Sequence, residues 1–232
     1  MKTITKNIKW LFIIVVGFSF IACKKDSSVV DEIKKVEIQK KQIQQVIPDQ
    51  YLDSLKKLGL SINTGITPLN AEGNYGISPL ILLSSNIKTD VKGSRFLDAK
   101  INLSKQDENF GIRLLAKNFL SSSDTSIVTA ISGAGNDFTI YGKVKSTHSG
   151  KTADFAIIIS GTLENKNIKN FKYGLICISN KETTSSVFIK EGQGRVFTES
   201  DGISTVITEK DFLALSFEKQ KVQSFGGSRL IQ

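Results

Sequence analysis

From about Tyr75 onward, apolar residues recur at every second position, and this period constrains the fold more than any other feature. The clearest stretch is Phe96-Leu-Asp-Ala-Lys-Ile-Asn-Leu103, where Leu97, Ala99, Ile101 and Leu103 alternate with Asp98, Lys100 and Asn102. Successive side chains of a strand point to opposite faces, so such a segment has one dry face and one wet face. Phe138, Ile140, Gly142 and Val144 repeat the pattern, and Phe155, Ile157 and Ile159 form another series. Turn-rich clusters at 105–109, 121–124, 133–137, 148–150, 164–167 and 180–183 separate the runs. Connections this short suit antiparallel hairpins, because a parallel pair needs a crossover of roughly a dozen residues.

Strands are expected near 75–87, 94–104, 110–119, 125–132, 137–147, 152–163, 171–179, 185–190, 194–199, 203–208 and 211–217. The fold class is therefore all-β, an antiparallel meander over 69–217. Closure into a barrel removes exposed edge strands, and a β-sandwich is the alternative. Ahead of this domain, Pro48 suits a first helical turn. Tyr51, Leu52, Leu55 and Leu58 follow at helical spacing, and Gly59 supplies a stop. Residues 48–68 thus read as one short amphipathic helix, over 49–58, and its lead-in. Residues 24–47 are rich in Lys and Gln; Ile33, Val36, Ile43 and Ile47 make only a narrow seam, interrupted by Lys40. The segment reads as a polar tether, partly helical or disordered, with a short coiled-coil contact as the alternative. Residues 218–232 form a C-terminal tail.

The N-terminus carries a targeting pattern. Lys2, Lys6 and Lys9 precede an uncharged run from Trp10 to Ala22. That run is shorter than the roughly 20 apolar residues of a membrane-spanning helix and has the length of a signal-peptide core. It ends in Phe20-Ile-Ala-Cys23, which resembles the lipobox of bacterial lipoproteins, with Phe20 in place of the usual Leu. The resemblance implies a signal peptide over 1–22, cleavage between Ala22 and Cys23, and diacylglyceryl modification of the Cys23 thiol. Lys24 stands where an Asp would resemble an inner-membrane retention signal, which favours the outer membrane and leaves its face open.

Losing the three leader lysines lowers the net charge from +9 to +6, spread along the chain. Nucleic-acid binding calls for a concentrated basic stripe and a readable motif, so no nucleic-acid partner is expected. With Cys23 committed to lipid, Cys177 stands alone in the apolar run Tyr173–Ile178 and reads as a small core residue. A catalytic thiol needs a nearby base, and the single histidine, His148, lies in a turn. There is no zinc-ligand spacing, nucleophile elbow or phosphate loop. Glu191, Glu199 and Asp201 lie near Arg195, but a glycosidase needs two carboxylates at a defined separation across a cleft. No enzyme activity, metal or cofactor is expected.

Three segments bear a resemblance: Asn63-Thr-Gly-Ile-Thr-Pro-Leu-Asn-Ala-Glu-Gly-Asn-Tyr75, Ile131-Ser-Gly-Ala-Gly-Asn-Asp-Phe138 and Val187-Phe-Ile-Lys-Glu-Gly-Gln-Gly-Arg-Val-Phe197. Together, over 47–217, they resemble uncharacterised lipoproteins of the Bacteroidota type, which implies no activity. Gly73-Asn74-Tyr75 and the late Arg195 also resemble the lipocalin-like calycin barrels, with Tyr in place of Trp. That resemblance implies that Arg195 packs across Tyr75 at a plugged barrel base, a structural role. The functional expectation is a membrane-anchored, non-enzymatic binding module for a small apolar ligand or glycan. The alternative is a structural or interaction protein with a filled barrel that binds an envelope protein.

Anchoring has a direct test. Cys23→Ser should abolish incorporation of labelled fatty acid and release the protein from the membrane fraction, or block processing after Ala22. Equal labelling of the variant would refute lipidation at this site.

Overall fold

A computed structural model describes residues 27–119, 124–126, 128–148, 150–180 and 187–214. The leader with Ala22, the lipid acceptor Cys23 and the 218–232 tail lie outside the described residues. Among those described, the chain is mostly β, with a large antiparallel sheet and few helices. The strands are β1 (Gly73–Ile77), β2 (Leu80–Ser85), β3 (Arg95–Phe96), β4 (Ala99–Ser104), β5 (Arg113–Lys117) and β6 (Asp124–Thr125). They continue as β7 (Val128–Ala134), β8 (Asp137–His148), β9 (Lys151–Glu164), β10 (Asn167–Asn180), β11 (Gly194–Glu199) and β12 (Ile203–Val206). Helices α1 (Ser27–Val46), α2 (Asp49–Lys57) and α3 (Glu209–Leu213) complete them.

Strands β7 to β10 follow one another as hairpins, as a meander requires. At β10 the sheet forks. Ile168 and Lys169 pair with β12, whereas Lys172–Ile176 pair with β11. Asn170, with a left-handed φ of 53°, and a register shift between Lys169 and Lys172 mark the division. One branch runs β11-β2-β3 and the other β12-β1-β4-β5-β6. The expected continuous meander is corrected here: β1 and β2 are neighbours in sequence but lie on different branches, parting at Ser78-Pro79. Among the described residues the ladder of strands is not closed. Two backbone hydrogen bonds lead toward closure, Ser126 N donating to Leu114 O at 3.2 Å and Ile131 N donating to Phe110 O at 2.9 Å.

The alternation seen in sequence sets the burial. Ala99, Ile101 and Leu103 are buried and lie opposite Ile77, Tyr75 and Gly73 of β1. Leu97 departs from its expected dry face: it sits between β3 and β4 and is 48 % exposed. Phe138, Ile140, Phe155, Ile157 and Ile159 join the same inner core. The expected strand at 211–217 is replaced in its described part by α3. The Thr208 hydroxyl accepts a hydrogen bond from Asp211 N at 3.1 Å, and this N-cap overrides the alternation that follows.

A second core covers the outer face of the central strands. Val46 and Ile47, Leu52 and Leu55 of α2, and Leu60 pack with Ala130, Tyr141, Ala156, Ile158, Ile176 and Val196. Strands buried on both faces read as continuous apolar runs, which is why Phe155–Ile159 has no wet position. A Cβ built on Gly174 would lie 2.8 Å from Leu60 Cδ2 and 3.1 Å from Leu55 Cδ1, so glycine permits this close approach. Of the two states expected for 24–47, the helical one is found, over 20 residues from Ser27, so the fold has more than the one short N-terminal helix expected. The C-terminal half of α1 docks on the sheet. There the buried Gln39 side-chain amide donates to Gly65 O at 2.9 Å and Ile131 O at 3.1 Å.

This packing generates a stability prediction. Leu55→Ala empties a fully buried site under α2 and should lower unfolding stability by about 2–5 kcal/mol in urea titration. Val91→Ala, at an exposed position, should stay within about 0.5 kcal/mol. Equal, small effects would show that α2 is not part of the cooperative unit.

Candidate functional site

Among the described residues, Arg195 is a fully buried basic side chain. It is the second residue of β11, opposite Leu175 of β10 and Ser85 of β2, and has no exposed surface. A guanidinium stays charged at any working pH, so a buried one needs a matched acid. Asp90, from the loop joining β2 to β3, supplies it in a two-pronged pair. Arg195 Nε donates to Oδ2 at 2.6 Å and Nη2 to Oδ1 at 2.9 Å. The Asp90 side chain is 2 % exposed. Burial alone would push its carboxyl upward; hydrogen bonds from Arg195 and Ser85, with the guanidinium charge, outweigh that and hold it below the ordinary value.

The ring beside this guanidinium is that of Phe96, 6.0 Å from Arg195 Cζ to the centroid. Tyr75 lies on the other branch of the sheet, and its hydroxyl donates to Ala71 O at 3.1 Å. The calycin-like expectation is corrected at this point. Arg195 and Tyr75 are both buried structural residues, but Arg195 meets Phe96 and Asp90. The reason is topological: the fork carries β1 away from β11 and brings β2 and β3 beside it.

Asp90 also borders an open cleft of about 490 Å³ between the end of α2 and β2. Leu58, Leu82 and Leu83 give it apolar surface, and Lys57, Lys92 and Lys172 line it with ammonium groups. Lys172 Nζ donates to Gly59 O at 2.9 Å and to Ser61 Oγ at 3.0 Å. Because Arg195 offsets Asp90, the cleft is electropositive.

The three carboxylates near Arg195 in sequence have separate tasks. Glu191 accepts a hydrogen bond from the Tyr51 hydroxyl of α2. Asp201 accepts from Ile203 N at 2.9 Å within its turn. Glu199 is buried, accepting from Ser78 N at 2.8 Å and from the Ser204 hydroxyl. Burial pushes its carboxyl up despite those two hydrogen bonds, and the nearby Asp201 and Asp98 add to the rise. Glu199 thus ties the β1–β2 corner to β11 and β12 at the mouth of the fork. Cys177 is buried, and burial pushes its thiol up to about 12, which keeps it protonated and unreactive. The His148 side chain lies outside the described residues, and no group of three or more potential metal ligands assembles among those described.

One surface was missed by reading residues 24–47 as a tether. In the first half of α1, Val29, Ile33 and Val36 are 52 %, 55 % and 48 % exposed. They line a shallow groove of about 280 Å³ together with Glu32 and Glu37. The helical spacing was visible in sequence; what could not be seen was that the domain covers only its other end. No described helix is long and apolar enough to cross a membrane.

The Arg195–Asp90 pair predicts both a mutational and a pH effect. Asp90→Asn takes the Asp90 carboxylate from a buried guanidinium and should destabilise by about 3–5 kcal/mol, whereas Arg195→Met with Asp90→Leu should recover much of the loss. Asp90 has a lower pKa folded than unfolded, so the native state binds fewer protons. Its contribution is complete above the unfolded value, near 3.8, and is lost as pH falls through the folded value. Acid unfolding curves of the wild type should therefore steepen below about pH 4 relative to the double variant. Parallel curves would remove Asp90 from the acid response.

Compared with protein-family models, with curated proteins and with solved structures, the chain has no match in any of the three, so its fold and geometry carry the functional argument.

Proposed function

We propose that this chain is a lipid-anchored, non-enzymatic interaction protein of the cell envelope, on the outer membrane, which meets an envelope protein through its outer surface. The observation that carries the reading is the aromatic packing of the inner core. Phe119 stacks on Tyr173 with ring centroids 4.1 Å apart, Tyr173 stacks on Phe197 at 5.1 Å, and Phe96 meets Phe197 edge-on at 5.0 Å. Phe155 and Phe188 extend the same core. Small β-barrels of about eight strands hold either side chains or one small ligand, and aromatic packing of this kind favours side chains.

The barrel itself belongs to this proposal. Leu115 and Ala116 of β5 pair with Thr125 and Asp124 of β6. The Ser126–Leu114 hydrogen bond continues that register, and Ile131–Phe110 lies close to it. Pairing carried along this line would join β5 through β6 to β7 and complete a ring with β8, β9, β10, β12, β1 and β4. The β11-β2-β3 branch would then stand as a flap held by Arg195 and Asp90.

Capture of a small apolar ligand or a glycan is the second reading. The cleft beside Lys57, Lys92 and Lys172 favours it, with a preference for an acidic group. Native mass spectrometry of protein purified from its own host separates the two. The interaction reading expects the mass of the acylated chain alone or with a protein partner. A stoichiometric small molecule released on unfolding would overturn it in favour of ligand capture.

A further inference from the structure

We infer that the free half of α1 is a docking surface for one amphipathic helix of a partner protein, whose apolar seam is flanked by lysine or arginine. The inference deepens the interaction reading and rests on it. Val29, Ile33 and Val36 follow one another at spacings of four and three residues, so they share one helix face. Ile43 continues that face and packs against the outer core, beside the buried Val46. One seam therefore runs the length of α1, covered at its C-terminal end by the domain and bare at its N-terminal end.

Charge decides which partner fits. Glu32 and Glu37 border the bare seam on its two sides. Lys34, Lys35 and Lys41 fall on the far side, and Asp31 lies 3.7 Å from Lys34 there. With Ile33 and Val36 as the a and d positions of a heptad, Glu32 and Glu37 occupy the g and e positions that choose a partner. In a parallel pair of two copies, Glu32 would face the other copy's Glu37, and Lys40, at the next a position, would face Lys40. Both contacts repel. A lipid surface fits no better, since two carboxylates would be carried toward the headgroups while the lysines pointed away. A helix with lysine or arginine at e and g answers both carboxylates. This is the helix-on-helix recognition mode, with anchors at i, i+4 and i+7.

The test uses the mature acylated chain in phosphatidylcholine nanodiscs, with empty nanodiscs as blank. Two labelled synthetic heptad peptides, isoleucine at a and leucine at d, serve as probes; one carries lysine at e and g, the other glutamate. Fluorescence anisotropy should show the lysine peptide binding several-fold more tightly, since each of the two carboxylates attracts lysine and repels glutamate. Ile33→Ser should abolish binding, and Glu32→Lys with Glu37→Lys should reverse the preference; all three positions are exposed, so the fold should persist. Equal binding of both peptides, binding that survives Ile33→Ser, or no binding would overturn the proposal. So would a dimer of the peptide-free chain that Ile33→Ser dissolves, or a blue-shifted environmental dye at position 33 in discs without peptide. Failure here with no co-purified small molecule removes this surface alone, whereas a co-purified small molecule removes the interaction reading itself.

Discussion

Strand β10 has to satisfy three neighbours, and most of the structure follows from how it does so. One edge is bonded to β9 along nearly all of its 14 residues. The other edge is divided between two strands too short to cover it alone, β12 with four residues and β11 with six. A backbone group on a buried strand must find a partner. Two partial partners therefore enter side by side, and the chain between them is turned at the Gly202 corner, where Asn170 N donates to Gly202 O at 2.9 Å. Once β11 and β12 diverge, the strands bonded to them diverge as well. The separation of β1 from β2 is a consequence of that fork.

The buried polar groups stand where the branches must be held in place. Glu199 gathers Ser78 and Ser204 at the mouth of the fork. Arg195 and Asp90 secure the β2–β3 loop against β11, a loop whose Val91 is left mostly exposed and contributes little apolar burial. Gln39 joins α1 to the Gly65 and Ile131 carbonyls. A buried ion pair adds little net stability over a well-packed apolar replacement, yet breaking one half of it is severe. Such groups punish a wrong register more than they reward the right one, and a branched sheet with a two-residue strand such as β3 offers many wrong registers.

Local patterns were legible in the sequence and distant pairings were not. The alternation at Ala99–Leu103, Phe138–Val144 and Phe155–Ile159 gave the strands and their inward faces, because both depend only on near neighbours. The fork depends on which strand reaches β10, and no local period encodes that. Leu97 fitted the period but fell at a corner. Thr208-Glu-Lys-Asp211 carries a helix cap, a signal as local as the alternation and opposed to the strand expected at 211–217. Arg195 stood out in sequence, yet its acid lies 105 residues away, between the strands expected at 75–87 and 94–104. The calycin resemblance selected the arginine and named a ring on the wrong branch.

The same distinction explains α1. A narrow seam broken by Lys40 looks too weak to face a core, and over its first half it faces none. Its second half is held by Gln39, Ile43 and Val46, so the helix is fixed to the sheet at one end only. Four peptide links separate Cys23 from Ser27, a reach of at most about 14 Å. If Cys23 carries lipid, the bare end of α1 is the part of the described chain closest in sequence to the bilayer, and the folded domain cannot stand off on a long leash. A partner helix reaching that seam would have to approach along the membrane. Lysine and arginine flanks suit such a helix on two counts, because anionic headgroups attract them to the surface and Glu32 and Glu37 then orient the helix on α1. On the proposed reading, the acidic border that disfavours direct insertion of α1 would make its seam selective for a basic helix already held beside the lipid.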